Sequence, residues 1–205
     1  MDTYKIFTLI GGISRDSLNK KFYRSIVDLA PEGFEFETFD ISKLPFYSQD
    51  LENDPPDIVT EFKEKIREAD GFLFVTPEYN RSIPGVLKNA IDWPSRPYGH
   101  NLWDKKVGAI IGASPGNIGT FGAQHHLRQV LAYLNMHVLA QPEFYFNATA
   151  AFDENNKLVN EKTKQLLQKY FNAFHELLDL IHNKDQIASK RFQAEGLEDS
   201  SQLTH

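Results

Sequence analysis

Gly71-Phe72-Leu73-Phe74-Val75 runs directly into Thr76-Pro77-Glu78-Tyr79-Asn80-Arg81-Ser82-Ile83-Pro84-Gly85. The apolar run, bounded by turn formers, predicts a fully buried strand. Strands of this kind belong to parallel sheets with helices on both faces. Two prolines and a glycine in the next ten residues predict a rigid loop at the strand's carboxyl end, with a helix over Val86–Asp92 behind it. Open parallel sheets bind their ligands at that edge. A stiff loop there, carrying a tyrosine, an asparagine and a carboxylate, predicts a surface for a flat ligand with polar edges.

Outward from this point the chain alternates between the two periods. Lys5–Ile10 reads as an apolar, β-branched first strand, and Ser17–Leu29 carries Leu18, Phe22, Ile26 and Leu29 at helical spacing. Phe34–Phe39 alternates phenylalanine with Glu35 and Glu37, as a half-exposed or edge strand does. Ile58–Ala69 is an amphipathic helix introduced by Pro55-Pro56-Asp57. Val107–Ile111 is a fourth buried strand, Phe121–Leu134 a helix, and a fifth strand falls within Val138–Phe146, broken by Pro142. A last helix over Glu161–Ile181 sets Leu166, Tyr170, Phe174, Leu177, Leu178 and Ile181 on one face.

This alternation implies βαβ units with right-handed crossovers. The expected fold is therefore α/β: three layers, with a doubly wound, five-stranded parallel sheet in the order 2-1-3-4-5 and a switch point between strands 1 and 3. Residues 1–182 are expected to form one domain. Residues 183–205 read as a polar tail or surface helix, in which Phe192 and Leu197 are candidates to dock on a partner subunit.

Composition narrows the function. At 205 residues, with 41% hydrophobic residues and 16 phenylalanines, the chain has ample material for a core. A net charge of −6 argues against nucleic acid or an anionic membrane as partner. The absence of cysteine excludes disulfides, thiolate nucleophiles and Cys-ligated metals, and accords with a cytoplasmic location. No secretory signal is visible, and no apolar run approaches the roughly eighteen residues that cross a bilayer.

In the order 2-1-3-4-5, the loops after strands 1, 3 and 4 are neighbours. The first is Gly11-Gly12-Ile13-Ser14-Arg15-Asp16-Ser17-Leu18-Asn19. Glycines permit a tight turn, the helix start offers free N–H groups, and the side chains add donors and a cation, which suits a terminal phosphate. The same residues also fit a plain cap, with Ser14 or Asp16 closing the helix and Ser17 and Asn19 in its exposed first turn. Neither the dinucleotide fingerprint nor a Walker loop is present. The third loop, Gly112-Ala113-Ser114-Pro115-Gly116-Asn117-Ile118-Gly119-Thr120, is longer and richer in glycine than an ordinary βα connection. Three such loops at one edge describe a pocket with a phosphate end and a flat, aromatic-sized end.

Together these loops resemble the NADPH-dependent FMN reductase family, flavodoxin-like proteins that include quinone, azo-dye and chromate reductases. That family carries Gly-Ser-x-Arg-x-x-Ser-x-Asn after strand 1, then Pro-Glu-Tyr-Asn with a following Pro-Gly and Lys-Asn-Ala-x-Asp-Trp. Its loop after strand 4 is Ser-x-Gly-x-x-Gly-like, followed by Gln-x-x-Leu-Arg. Here the counterparts are Gly11 to Asn19, Pro77 to Asn80 with Pro84-Gly85 and Lys88 to Trp93, and Ser114 to Gly119 with Gln124, Leu127 and Arg128. The likeness spans roughly residues 5–180. One departure stands out: with Ser17 and Asn19 aligned, Ser14 occupies the family's arginine position, Gly12 its serine position, and Arg15 falls one place later. Either Arg15 swings in to pair with the phosphate, or Ser14 supplies a hydroxyl while backbone amides do the rest.

The resemblance implies FMN as cofactor and NAD(P)H as co-substrate. Gly11, Ser14, Arg15, Ser17 and Asn19 would hold the phosphate. Pro77, Glu78, Tyr79 and Asn80 would line one side of the ring, through the N–H groups of residues 78 to 80 and the Asn80 side chain, and Ser114, Gly116 and Gly119 the other. Tyr79 is expected to pack on the flavin or line the substrate face. Glu78 is expected to turn its side chain to a neighbouring subunit or to solvent, because a carboxylate at the electron-rich ring edge opposes the anionic reduced form. No side chain is needed as a catalytic group, since the flavin carries hydride from NAD(P)H through N5 to a quinone, azo compound, free flavin or similar electrophile. No metal is expected: His125-His126 lack a third ligand at metal spacing. Arg96 and Tyr98 suit nucleotide phosphates, a dimer partner or a plain surface loop, and Trp93 and Trp103 suit anchoring that loop to the core or a second subunit. Asp40 suits capping. By family analogy the protein is a homodimer or homotetramer. The rival reading is a flavodoxin-type electron carrier that does not itself oxidise NAD(P)H. A receiver-like module fits poorly, because Gly11-Gly12 and Thr76-Pro77 stand where that class needs acidic residues.

Overall fold

The computed structural model describes residues 3–194, with side chains described as far as Asn183. Six strands form one parallel sheet: β1 (Tyr4–Ile10), β2 (Phe34–Thr38), β3 (Gly71–Val75), β4 (Val107–Ser114), β5 (His137–Val138) and β6 (Tyr145–Asn147). The order is β2-β1-β3-β4-β5, with β6 also paired to β4. The switch point between β1 and β3 is where the sequence pattern puts it. The expected fifth strand is two pieces on one neighbour: β5 pairs with Val107 and Gly108, β6 with Gly112 to Ser114. Pro142 lies between them and has no N–H for a ladder. There the gap is closed by α4 (Phe121–Tyr133): Gln124 Nε2 donates to Phe144 O at 2.8 Å and Arg128 Nη1 to Leu139 O at 2.8 Å.

Side-chain alternation along the strands builds two cores. Phe7 and Leu9 of β1, Phe72 and Phe74 of β3, and Ile110 of β4 meet α2 (Asp57–Glu68), α3 (Gly85–Asp92) and α4 through Phe62, Ile66, Leu87 and Leu127. Their alternates Ile6, Leu73, Val75, Ala109 and Ile111 meet α1 (Leu18–Leu29) and α5 (Glu161–Ala194) through Phe22, Ile26, Phe171, Phe174 and Leu178. All of these side chains are essentially out of water. Each large one stabilises the fold by about 1.5–3 kcal/mol, before entropy is counted. On the second face Tyr170 donates its hydroxyl to Ile110 O at 2.7 Å, and burial drives its pKa above the usual tyrosine range.

Trp93 and Trp103 both lie in the first core. Trp93 Nε1 donates to Pro45 O at 2.8 Å and Trp103 Nε1 to Ile91 O at 2.9 Å, so each ties a connection to α3. Asp40 caps the short turn Ile41–Lys43 through Ser42 N and Oγ. That hydroxyl holds its carboxyl below the ordinary aspartate pKa. The helix predicted to end at Ile181 continues through residue 182 to Ala194. Leu197 and the side chain of Phe192 lie outside the described residues.

At the carboxyl edge the layers touch so closely that one position admits no side chain. A Cβ on Gly112 would lie 2.1 Å from Thr76 O and 2.4 Å from Thr120 Oγ1. The first obstacle is backbone and cannot rotate away. Gly112→Ala is therefore expected to destabilise the protein by at least about 2 kcal/mol, read as a lower urea midpoint at unchanged m-value.

Candidate functional site

The first loop is a tight turn whose carbonyls are held and whose amides are not. Gly11 N donates to Val75 O at 2.9 Å, continuing the β1–β3 ladder one step, and a Cβ there would meet Pro77, Pro84 and Leu87 at 3.2–3.3 Å. The loop therefore lies against the second loop. At Gly12 a Cβ would lie 2.2 Å from Ser17 Oγ, so the family's serine has no room here. Ser17 is the N-cap of α1 and is buried. Lys20 Nζ donates to Ile13 O (3.0 Å) and Ser14 O (3.2 Å). Among the described residues, the N–H groups of 12 to 16 meet no acceptor within the chain. Five open donors, an ammonium group and a helix start form an anion cradle. Ser14 and Arg15 are exposed at its rim.

Asn19 departs from its expected role. It is 2% exposed, with Nδ2 donating to Ala113 O and Oδ1 accepting from Ala113 N, both at 2.9 Å. Its amide is a strut from α1 to the end of β4 rather than a donor at the loop surface.

The second loop is a two-residue hairpin. Tyr79 N donates to Ser82 O and Ser82 N to Tyr79 O, both at 3.0 Å, around Asn80 (φ 52°) and Arg81 (φ 66°). Both central residues are left-handed, the geometry of a type I′ turn, which Asn adopts readily and Arg does not. The Tyr79 N–H is thus engaged, and among the described residues the N–H groups of Glu78 and Asn80 find no acceptor. Tyr79 is 55% exposed, and the Asn80 side chain is exposed and makes no hydrogen bond among the described residues. Glu78 turns inward, with a side chain only 11% exposed. Its Oε2 accepts from Ala123 N at 3.0 Å and its Oε1 pairs with Arg81 at 3.1 Å. The expectation that it turns to a neighbouring subunit or to solvent is corrected: the first turn of α4 presents orphan N–H groups, and a carboxylate satisfies one of them.

In the third loop the N–H groups of 116, 117 and 118 meet no acceptor among the described residues, while Gly119 N donates to Gly116 O. Ser114 Oγ donates to Gly116 O at 3.1 Å. Gly119 has φ +60°, and a Cβ there would lie 2.5 Å from Phe146 N, so it seats the loop on β6. A Cβ at Gly116 would meet only Ser114 Oγ, at 3.8 Å, so that face of the loop is open.

The remaining candidates lie around this site. His126 Nδ1 bonds Ser82 Oγ at 2.7 Å, and His125 Nε2 bonds Tyr145 Oη at 3.0 Å under the Phe121 ring. Burial and the neighbouring Glu143 push the Tyr145 pKa up to about 12. The Arg96 guanidinium lies 6.0 Å from the Tyr47 ring, and Tyr98 is 86% exposed. Sequence patterning singles out neither Lys20 nor the His126–Ser82 pair. Lys20 was legible as a cation in the first turn of α1; the pairing was not, because its members are 44 residues apart.

The Asn19 strut carries a test. Asn19→Ala leaves a buried N–H and C=O of Ala113 unpaired, and is expected to lower stability by about 2–4 kcal/mol, read by urea denaturation.

Comparison with known proteins agrees with this geometry. The NADPH-dependent FMN reductase family matches residues 4–151. A 2-hydroxy-1,4-benzoquinone reductase of a Burkholderia species is 48% identical over 171 residues, covering 83% of this chain and 93% of that protein. A quinone reductase of Pseudomonas putida is 42% identical over 172 residues, covering 83% and 92%. Among solved structures, the flavoenzyme NAD(P)H:(acceptor) oxidoreductase FerB of Paracoccus denitrificans superposes with a TM-score of 0.82 at 39% identity, covering 86% of this chain and 98% of that one. Three amide-lined loops at the switch point, in a sequence matched from its first strand to beyond its sixth, make the chain a member of the NADPH-dependent FMN reductase family.

Proposed function

We propose that this protein is an FMN-dependent NAD(P)H oxidoreductase that reduces quinones and similar flat electrophiles. The observation that carries the reading is the set of open backbone donors on three converging loops: residues 12 to 16, then 78 and 80, then 116 to 118. A phosphate monoester and a ring edge with carbonyl and imine acceptors are what such donors can satisfy together.

FMN fits this donor set. The N–H groups of 12 to 16, with the Ser14 and Ser17 hydroxyls, the Lys20 ammonium and Arg15, would hold its phosphate. The N–H groups of Glu78 and Asn80 and the Asn80 amide would meet one edge of the ring, and residues 116 to 118 the other. When bound, FMN supplies the redox chemistry, taking a hydride from NAD(P)H and returning two electrons to the acceptor. The chain's part is binding and orientation. Pro77 and Pro84 stiffen the wall under the ring, and Gly11 lets the first two loops touch. Tyr79, Ile118 and Phe121 are 55%, 48% and 46% exposed and offer an apolar rim for a planar acceptor. A quinone reduced here gains two electrons and two protons, one proton arriving with the hydride and the other from water at the open rim.

The assembly we assign is a homodimer or homotetramer. The support is the set of aromatic side chains left in water, Phe46, Tyr98 and Tyr133, each at least 84% exposed. A cytoplasmic location is supported by the lack of cysteine. Among the described residues no helix is long and apolar enough to cross a membrane.

Protein purified without added flavin and then titrated with FMN is expected to quench flavin fluorescence and to oxidise NAD(P)H in the presence of a benzoquinone. Failure to bind FMN overturns the proposal. Binding without NAD(P)H oxidation gives the electron-carrier reading instead. Asn80→Ala is expected to weaken FMN binding roughly tenfold, the loss of about one good hydrogen bond, with a slightly lower thermal stability because alanine is less at ease than asparagine at φ 52°.

A further inference from the structure

The hairpin that carries Asn80 is fastened to α4 at both ends. Ahead of the turn, the Glu78 carboxylate takes the Ala123 N–H at 3.0 Å. At its far end, Ser82 Oγ meets His126 Nδ1 at 2.7 Å, one helical turn further along. Gly122 lies beneath the span: a Cβ there would come within 3.2 Å of both Arg81 O and Glu78 Oε2. The turn holds two non-glycine residues in the left-handed region. That conformation is costly for the free chain and persists only where surrounding structure over-determines it.

From this arrangement we infer that Glu78 is a positioning residue. It clamps the flavin-edge hairpin onto α4, so that the N–H groups of 78 and 80 are aimed before a ligand arrives. The inference rests on the FMN reading for what the hairpin presents, but not for the clamp itself. Of the two contacts the carboxylate makes, the one to Ala123 N does the holding. The carboxylate side chain is 11% exposed, whereas its other partner, Arg81, is 70% exposed, and an exposed ion pair contributes little. A hydrogen bond from a buried N–H to a charged acceptor is worth several times more.

The experiment compares wild type, Glu78→Gln, Glu78→Ala and Gly122→Ala. It reads amide exchange of Ser82 in the flavin-free protein and FMN affinity by fluorescence quenching. Gln keeps an acceptor for Ala123 N–H but loses the charge, so both readouts are expected to fall between those of wild type and those of the Ala variant. Ala removes the acceptor: Ser82 exchange is expected to speed up, and FMN binding to weaken, by roughly tenfold to a hundredfold. Protection of the Leu73 amide in the central strand is expected to hold, which separates a loosened loop from a failed fold. Gly122→Ala improves the helix by propensity but pushes on the clamp, so weaker FMN binding at equal or higher thermal stability is expected. Unchanged behaviour of Glu78→Ala overturns the inference, as does a Gln variant that falls as far as the Ala variant. If wild type binds no FMN while the exchange pattern appears as expected, the cofactor reading fails and the clamp stands.

Discussion

The site depends on one pair of hydrogen bonds that crosses the sheet. Asn19 stands at the start of the helix following β1, yet its amide grips both the N–H and the C=O of Ala113, near the end of β4. Strand β3 lies between them in the sheet order. The first loop and the third are thereby locked at a fixed separation, with the second emerging between them. A helix can tilt and a loop can sway, but a buried amide bridging two backbone groups tolerates neither without leaving polar atoms unpaired. The spacing of the first and third loops is set by that contact.

Close approach of backbone to backbone makes the rest possible. Gly12 lets Ser17 fold over the first turn, Gly112 lets Thr76 and Thr120 meet across β4, and Gly119 seats the third loop on β6. At each of these positions even a methyl group would collide. The same crowding is why amides in the loops remain unpaired: a chain bent this tightly cannot return its N–H groups to its own carbonyls. In the first loop the Lys20 ammonium takes two carbonyls out of competition and leaves the donors uncontested. A ligand held by those donors would complete a hydrogen-bond pattern that folding leaves unfinished.

The fold was legible because it rests on period and punctuation. Buried strands such as Gly71–Val75 and amphipathic helices such as Asp57–Glu68 declare themselves locally, and the order of the sheet follows from their alternation. The loops too were legible as loops, by their glycines and prolines. The partners of individual side chains were not. Asn19 reads as a phosphate ligand in sequence because a polar residue in a first helical turn has no local reason to face inward; its partner is 94 residues away. Glu78 reads as an outward-facing acid, turned to a second subunit or to solvent, because the helix start that receives it is 45 residues further on. The engaged N–H of Tyr79 follows from a turn type that the sequence does not announce, since Asn-Arg is an unusual pair for two left-handed residues. Local chemistry is written in the sequence; the meeting of distant polar groups is written in the fold.

The split last strand has a consequence for how the molecule behaves in a crowded solution. An open sheet ends in two rows of backbone groups that invite another chain to pair with them. On one side β2 presents Glu35 and Glu37, and Glu37 holds Lys65 at 2.7 Å, so a second strand would have to approach a line of charge. On the other side no charge is needed. The interruption between β5 and β6 breaks the row itself, and Gln124 and Arg128 of α4 reach the carbonyls in the gap. One border is guarded by repulsion and the other by leaving no continuous rail, and the helix that guards it is the one to which Glu78 and Ser82 fasten the second loop.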